Sequence, residues 1–267
     1  MLFDPAEDDA APDPDAEAVW YQSFVDGVCR HTGAPTARLE WVCLTSWPAS
    51  LAATAALVQG HALADRVLRR LREQTFVRGR PADTAEAVLA ALSGLPGLDL
   101  DRLARDVASA DVLDRVRADR ALTRSPAPEV CGRDAPAADR ASPHSGAAKE
   151  VPGGFRYALP TLVLAGPAGR AVVPGWRPLA EYVAAVQRVA PEVCLAVQQP
   201  SAELALAHWR TMTAPDLALL TDDNQPPATA LEIRLSHGSL WVHPDESNLD
   251  RIYRQLTDSS RDDTVLP

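Results

Sequence analysis

Four cysteines, Cys29, Cys43, Cys131 and Cys194, are the strongest nucleophiles in this chain. Two thiols set two residues apart at a helix N-terminus can cycle between dithiol and disulfide, because backbone amides and the helix dipole lower the pKa of the first. No Cys-x-x-Cys occurs, and thirteen residues separate Cys29 from Cys43. Those two read as buried small hydrophobes, since a bridge would need their Cα atoms within about 7 Å. Cys131 sits in a polar stretch and is expected to be the exposed thiol. The histidines, His31, His61, His144, His208, His237 and His243, show no metal-ligand spacing, and His237 and His243 are expected on the surface of a terminal hairpin. Glycine-rich phosphate loops, nucleophile elbows and zincin motifs are absent, so neither a cofactor nor a metal is expected. The stripe Arg66, Arg69, Arg70 and Arg72 reads as a solvated face, because Arg and acidic residues nearly balance across 48–122.

The elements that carry these residues follow from periodicity and punctuation. Residues 18–29 predict a short helix with Trp20, Phe24 and Val28 on one face. From Pro48 to about Leu122 the pattern predicts five short helices. Thr45 or Ser46 caps the first, Gly60 closes it, Asp83-Thr84-Ala85-Glu86 offers the start of a third, and Asp99 or Asp101 and Asp111 lie near later starts. The second of these, 61–78, places Leu63, Val67, Leu68, Leu71 and Phe76 along one side. Residues 123–153, with Pro126, Pro128, Pro136, Pro143 and Pro152, form a linker with little to bury.

Phe155–Leu164 is a hydrophobic strand pattern with Pro160 inside it, followed by a turn at 166–169, a strand at 170–173 and a helix at 179–189. Proline removes a ladder hydrogen bond, so Pro160 implies either an edge strand or a cis peptide at the strand entrance. Residues 202–209 and 214–220 predict helices, and 231–242 predicts a hairpin turning at Ser236-His237-Gly238.

Over all 267 residues the net charge is −10, which disfavours nucleic-acid or anionic-membrane partners, and no apolar run approaches the roughly 18 to 20 residues of a membrane-spanning helix. Residues 1–29 contain no Lys or Arg, unlike a secretory leader, and the few scattered cysteines do not resemble a secreted disulfide framework. A cytoplasmic protein is expected.

Three phrases carry a resemblance: Thr-Ser-Trp-Pro-Ala-Ser-Leu-Ala-Ala (45–53), Leu-Arg-Arg-Leu-Arg-Glu-Gln-Thr-Phe-Val-Arg-Gly-Arg (68–80) and Leu-Pro-Thr-Leu-Val-Leu (159–164). Over about 45–190 the chain resembles the DsbA family of thioredoxin-fold thiol-disulfide oxidoreductases, in the cytosolic branch of FrnE-type and 2-hydroxychromene-2-carboxylate-isomerase-type proteins. The resemblance implies an α/β, thioredoxin-like fold with a large helical insertion, incomplete at its N-terminus, and the residue pattern beyond it adds a small C-terminal helix–helix–hairpin module. The implied division is an acidic lead-in and short helix (1–45), the insertion (46–122), the linker (123–153), the C-terminal half of the core (154–192) and a winged-helix-like tail (201–256). It also implies that Pro160 is cis, that Leu159 and Thr161 flank a groove under a lid formed by 48–122, and that a protein or small thiol substrate pairs there with the backbone.

Family chemistry is thiolate attack and a mixed disulfide, yet the Cys-x-x-Cys and the strand–helix–strand that should precede it are not in this sequence. The expectation is therefore a DsbA-like protein, either shortened or degenerate, with absent or strongly reduced dithiol turnover. The alternative is a non-catalytic peptide- or protein-binding module. With the first half of the core missing, the edge of the Phe155–Val173 hairpin is expected to be adhesive. Residues 201–267 carry 5 Arg against 11 Asp and Glu, so duplex-DNA binding at physiological salt should be undetectable by fluorescence anisotropy; submicromolar binding would overturn that expectation.

Overall fold

The computed structural model describes residues 14–131, 146–151, 153–194 and 199–246. The acidic lead-in before residue 14, most of the linker (including His144) and the tail beyond 246 lie outside the described residues. The chain forms two compact units, one of Asp114–Gln198 and one of Leu2–Leu113 with Gln199–Pro267. This division differs from the linear order of segments in the sequence pattern, because 199–246 shares a unit with the helices before residue 114.

In that larger unit, α1 (Pro14–Thr32) is followed by α2 (Trp47–Ala56), α3 (His61–Phe76), α4 (Ala85–Leu92), α5 (Leu100–Asp106) and α6 (Ala110–Thr123), the last of which continues past Leu113. Alanines set the packing. Ala52, Ala55 and Ala56 of α2 are completely buried, as is Val67 of α3, and Leu71, Leu92 and Leu103 complete the core. Small side chains on α2 let the backbones approach closely. Thr84 caps α4 by accepting from Ala87 N, and Asp99 caps α5 by accepting from Arg102 N. Ser46 makes no such bond, and Thr45 Oγ1 instead accepts from Trp47 N at 3.3 Å.

Two faces differ from the periodic expectation. On α1, Val25 and Cys29 are buried while Trp20 and Phe24 stack on each other at the surface. On α3, Leu68 and Phe76 are exposed, whereas Arg70 and Glu73 are buried. Hydrophobic spacing cannot separate an apolar stripe from the charged stripe beside it when both are covered.

The extended segment 33–46 is tied to the end of α3. Thr36 Oγ1 donates to Phe76 O at 2.6 Å, and Glu40 N donates to Gly79 O at 2.7 Å. Gly79 has φ +69°, and a Cβ there would lie 2.0 Å from Arg38 O, so no other residue fits. Asp83, nearly buried, accepts from Trp41 Nε1 and from Leu44 N, each at 3.2 Å.

Residues 199–246 build α8 (Ala202–Trp209), β5 (Thr211–Thr213), α9 (Ala214–Leu220), β6 (Leu231–Leu235) and β7 (Gly238–Val242). The three strands form an antiparallel sheet in the order β5-β7-β6. β5 is too short for a periodic signal. Its place is set by Arg210, whose φ of 69° ends α8 with a left-handed turn, and by Thr213, which forms a reciprocal capping box with Asp216. Val77, just past α3, packs with Ile233, Leu240 and Val242 of this sheet.

In the other unit, two short strands, β1 (Lys149–Val151) and β2 (Gly154–Arg156), pair with each other. The ends of the linker are thus ordered: Val130 is buried and its carbonyl accepts from Ala148 N at 2.7 Å. β3 (Thr161–Gly166) and β4 (Gly169–Pro174) form a second hairpin, covered on one face by α7 (Leu179–Val189) through Ala171, Val173, Ala185 and Val189. Gly166 permits that closeness, since a Cβ there would lie 2.4 Å from Val189 O. The single strand of the sequence pattern is in fact two, β2 and β3, with Pro160 in the break between them. Because Leu103 is fully buried in the helical core, Leu103→Ala should lower unfolding free energy by about 2–5 kcal/mol in a urea titration. A loss below about 1 kcal/mol would mean that this core is not the stabilising centre of its unit.

Candidate functional site

The Leu159–Pro160 peptide is cis and leads into β3. Thr161 donates from its hydroxyl to Ala158 O at 2.6 Å, and Pro160 O accepts from Gly175 N at 2.8 Å. The first uses the Thr161 side chain and the second joins backbone to backbone, and together they hold the turn. Tyr182 braces the far side, donating to Gly175 O at 3.1 Å and accepting from Arg177 N at 3.2 Å. Tyr157 accepts from Arg170 at 3.0 Å and from Ala127 N at 2.9 Å. What remains outside is apolar: Leu159 is 48% exposed, Leu162 41%, Val163 44% and Trp176 50%. Among the described residues β3 pairs with β4 alone, so no described strand covers its second edge. Leu159, Pro160 and Thr161 therefore lie together at the open edge of a hairpin.

All four cysteines are unpaired; Cys29 is buried, Cys43 and Cys131 are half-buried and Cys194 is exposed. Cys194 rather than Cys131 is thus the exposed thiol, because the short turn at 128–130 folds back and Cys131 Sγ donates to Ala127 O at 3.5 Å. Burial, with smaller contributions from Asp83, pushes the Cys43 thiol up to about 11, and burial also raises Cys29 despite a hydrogen bond from Thr36. Neither resembles an activated nucleophile. His237 faces Asp26 at 3.6 Å and His243 faces Asp245 at 3.5 Å. Among the described residues no group of three or more His, Cys, Asp or Glu side chains is placed to hold a metal.

A second constellation, in the larger unit, is absent from the expectations. Glu246 is 3% exposed and receives Arg66 Nη2 at 2.7 Å, Arg70 Nη2 at 2.5 Å and Arg210 Nε at 3.4 Å. Beside it, buried Glu73 accepts from the Thr211 hydroxyl, and Arg69 donates to that hydroxyl oxygen and to Thr211 O. Arg66, Arg69 and Arg70 are therefore not a solvated face; Arg70 is only 3% exposed. The spacing of Arg66, Arg70 and Glu73, four and then three residues apart on one helix face, is the signal that could have marked them. Arg210, in the left-handed region, is held there by Leu206 O, which accepts from its N–H, and by its ion pairs.

Burial pushes the Glu246 carboxyl upward, but hydrogen bonds from Arg66 and the charges of Arg70 and Arg66 outweigh it and hold the group below the usual carboxylate range. For Glu73 burial wins over the Thr211 bond and the neighbouring arginines, and the group is raised. Their pH linkages oppose each other. Glu246 contributes stability that is present above its unfolded pKa and lost as pH falls toward its depressed folded value. The contribution of Glu73 is largest below its unfolded pKa and is lost as pH rises through its folded one. Glu246→Gln leaves Arg70 buried without its counter-charge, so unfolding free energy at pH 7 should fall by about 3–5 kcal/mol, with a smaller deficit at a pH acid enough to protonate the native carboxylate. Denaturant titration at the two pH values reads this out; equal stability of the two proteins at pH 7 would refute it.

No curated protein matches the chain. Residues 30–126 match a protein-family model described as Thioredoxin. The matched span runs from the end of α1 through α6 and stops short of β3, β4 and α7. With its helices and small sheets this is a mixed α/β chain, and the match supports a thioredoxin-fold family for it.

Proposed function

We propose that this chain is a DsbA-like, thioredoxin-fold protein that binds an extended polypeptide at Leu159, Pro160 and Thr161 and does not turn over dithiols through its own cysteines. The observation that carries this reading is the β3 edge, open among the described residues and flanked by exposed Leu159, Leu162 and Val163. An added strand would satisfy that edge through main-chain hydrogen bonds, while the exposed apolar side chains supply burial and side-chain preference. The family match at 30–126 supports the thioredoxin-fold part of the reading, and the Leu-Pro-Thr phrase supports its DsbA-like part. A small thiol compound is the second ligand class the same edge would suit.

Lack of turnover rests on thiol chemistry. With Cys43 pushed up to about 11, only about one molecule in ten thousand carries the thiolate at neutral pH, and Cys29 is buried. Four unpaired cysteines suit a reducing, cytoplasmic setting. Among the described residues no helix is long and apolar enough to cross a membrane.

The test is a fluorescently labelled unfolded peptide titrated with the full chain, beside an insulin-reduction assay. Saturable peptide binding is expected, with about tenfold weaker binding for Leu159→Glu, a substitution at an exposed position that spares the core. No insulin turnover is expected. Absence of peptide binding, or binding unaffected by Leu159→Glu, would overturn the binding reading, and robust insulin reduction would overturn the lack of catalysis.

A further inference from the structure

The arginine–glutamate constellation has more positive charge and more donors than its own acceptors absorb. Its cavity, of about 20 Å³, is lined by Arg66, Arg69, Arg70 and Arg210 against Glu73 and Glu246. Asp245 adds a third carboxylate, but on the exposed side of Arg210, at 3.2 Å. Arg78 acts electrostatically on both Arg70 and Glu73, and Arg72 lies close enough to Arg69 to be perturbed by it. Raising the pKa of Glu73 makes its negative charge the less secure of the two. A chain with a net charge of −10 thus concentrates positive charge at one partly covered point.

The hydrogen bonds point the same way. Each guanidinium carries five N–H donors. Both oxygens of Glu246 are occupied, Oε1 by Arg66 and Arg210 and Oε2 by Arg70. Arg69 donates through Nε and Nη2 to Thr211, and its Nε also lies 3.3 Å from Glu73 Oε1, which leaves its Nη1 uncommitted among the described residues. Arg66 donates through Nη1 to Pro96 O at 2.9 Å and through Nη2 to Glu246, yet its Nε is buried with no acceptor among the described residues. A buried charged donor without an acceptor is costly, and an anion from solution would offset both that cost and the unbalanced charge.

We propose that this constellation is an oxyanion site of the phosphate class, with Arg66 and Arg69 as its principal ligands. The cavity volume suits one oxygen atom rather than a whole tetrahedral ion. One oxygen occupies the cavity, and the rest of the anion lies at the mouth beside Trp209, which is 43% exposed. Arg69 reaches the mouth because 32% of its side chain is exposed, and the Arg66 side chain is 26% exposed. Arg70, at 3%, stays committed to Glu246 and supplies field rather than contact. Several guanidiniums converging from α3 and from the end of α8 suit an acceptor with several oxygens, which favours a tetrahedral oxyanion over a monatomic one. Free phosphate and the phosphate group of a phosphomonoester present the same chemistry to these donors. The site lies entirely in the unit of Leu2–Leu113 and Gln199–Pro267, so it stands or falls independently of the β3 edge.

Isothermal titration of the full chain with inorganic phosphate, and separately with phenyl phosphate, tests the proposal at constant ionic strength set by sodium chloride. One-to-one saturable binding of phosphate is expected, with a matching rise in melting temperature in phosphate over chloride. Tighter binding of phenyl phosphate would identify the source as a phosphomonoester, and equal or weaker binding would identify it as the free ion. Arg69→Gln, at a half-exposed position, should weaken binding by about tenfold or more. Arg117→Gln, whose exposed pairing with Asp114 is remote in sequence and role, should leave it unchanged. Identical heats and melting temperatures in phosphate and chloride would overturn the proposal for the native chain without any variant. A phosphate affinity in Arg69→Gln within about twofold of the native value would overturn the assignment of the ligands.

Discussion

The carboxylate of Glu246 accepts from three arginines that the chain delivers from two places, Arg66 and Arg70 on α3 and Arg210 at the end of α8. Arg66 and Glu246 are 180 residues apart in sequence. Buried charges of this kind are stable only as a set, because the loss of one partner strands the others in a medium that screens them poorly. The second bundle of bonds, among Arg69, Glu73 and Thr211, lies one helical turn further along α3 and engages the start of β5. Together they hold residues 199–246 against the helices before residue 114, and the apolar contact of Val77 with Ile233, Leu240 and Val242 reinforces the join. α3 consequently has two covered faces. Val67 and Leu71 pack into the helical core, and Arg70 and Glu73 face the electrostatic cluster.

The unit of Asp114–Gln198 is built on a different principle. Its hairpin and helix bury mostly small residues, Ala171, Val173, Ala185 and Val189, while larger apolar side chains along β3 stay at the surface. A sheet of two strands covered on one face leaves an open edge, and the backbone there is as available for pairing as the side chains are for burial. In the other unit, burial shifts the Cys29 and Cys43 thiols away from reactivity.

Much of the local structure is legible from sequence. α7, α8 and α9 occupy the ranges their spacing predicts, and Thr84 and Asp99 cap the helices they precede. Those signals depend on residues within a few positions of each other, where period and capping chemistry suffice. β5 was not legible, since three residues carry no period and its pairing partner is β7. The position of Pro160 was legible only as a conflict: a proline inside a hydrophobic run implies a break, and the structure resolves it as two separate strands.

The sequence by itself determined the absence of a Cys-x-x-Cys, the acidic balance and the order of the helices, since these are properties of composition and of neighbours along the chain. Tertiary structure decided which charges are buried and which thiol is exposed. The spacing of Arg66, Arg70 and Glu73 is the same whether water or Glu246 and Thr211 lie opposite. Cys131 lies in a polar stretch and yet is half-buried, while Cys194 is exposed. Burial is a property of contacts between residues far apart in the chain, and no local period encodes what will be packed on the other side.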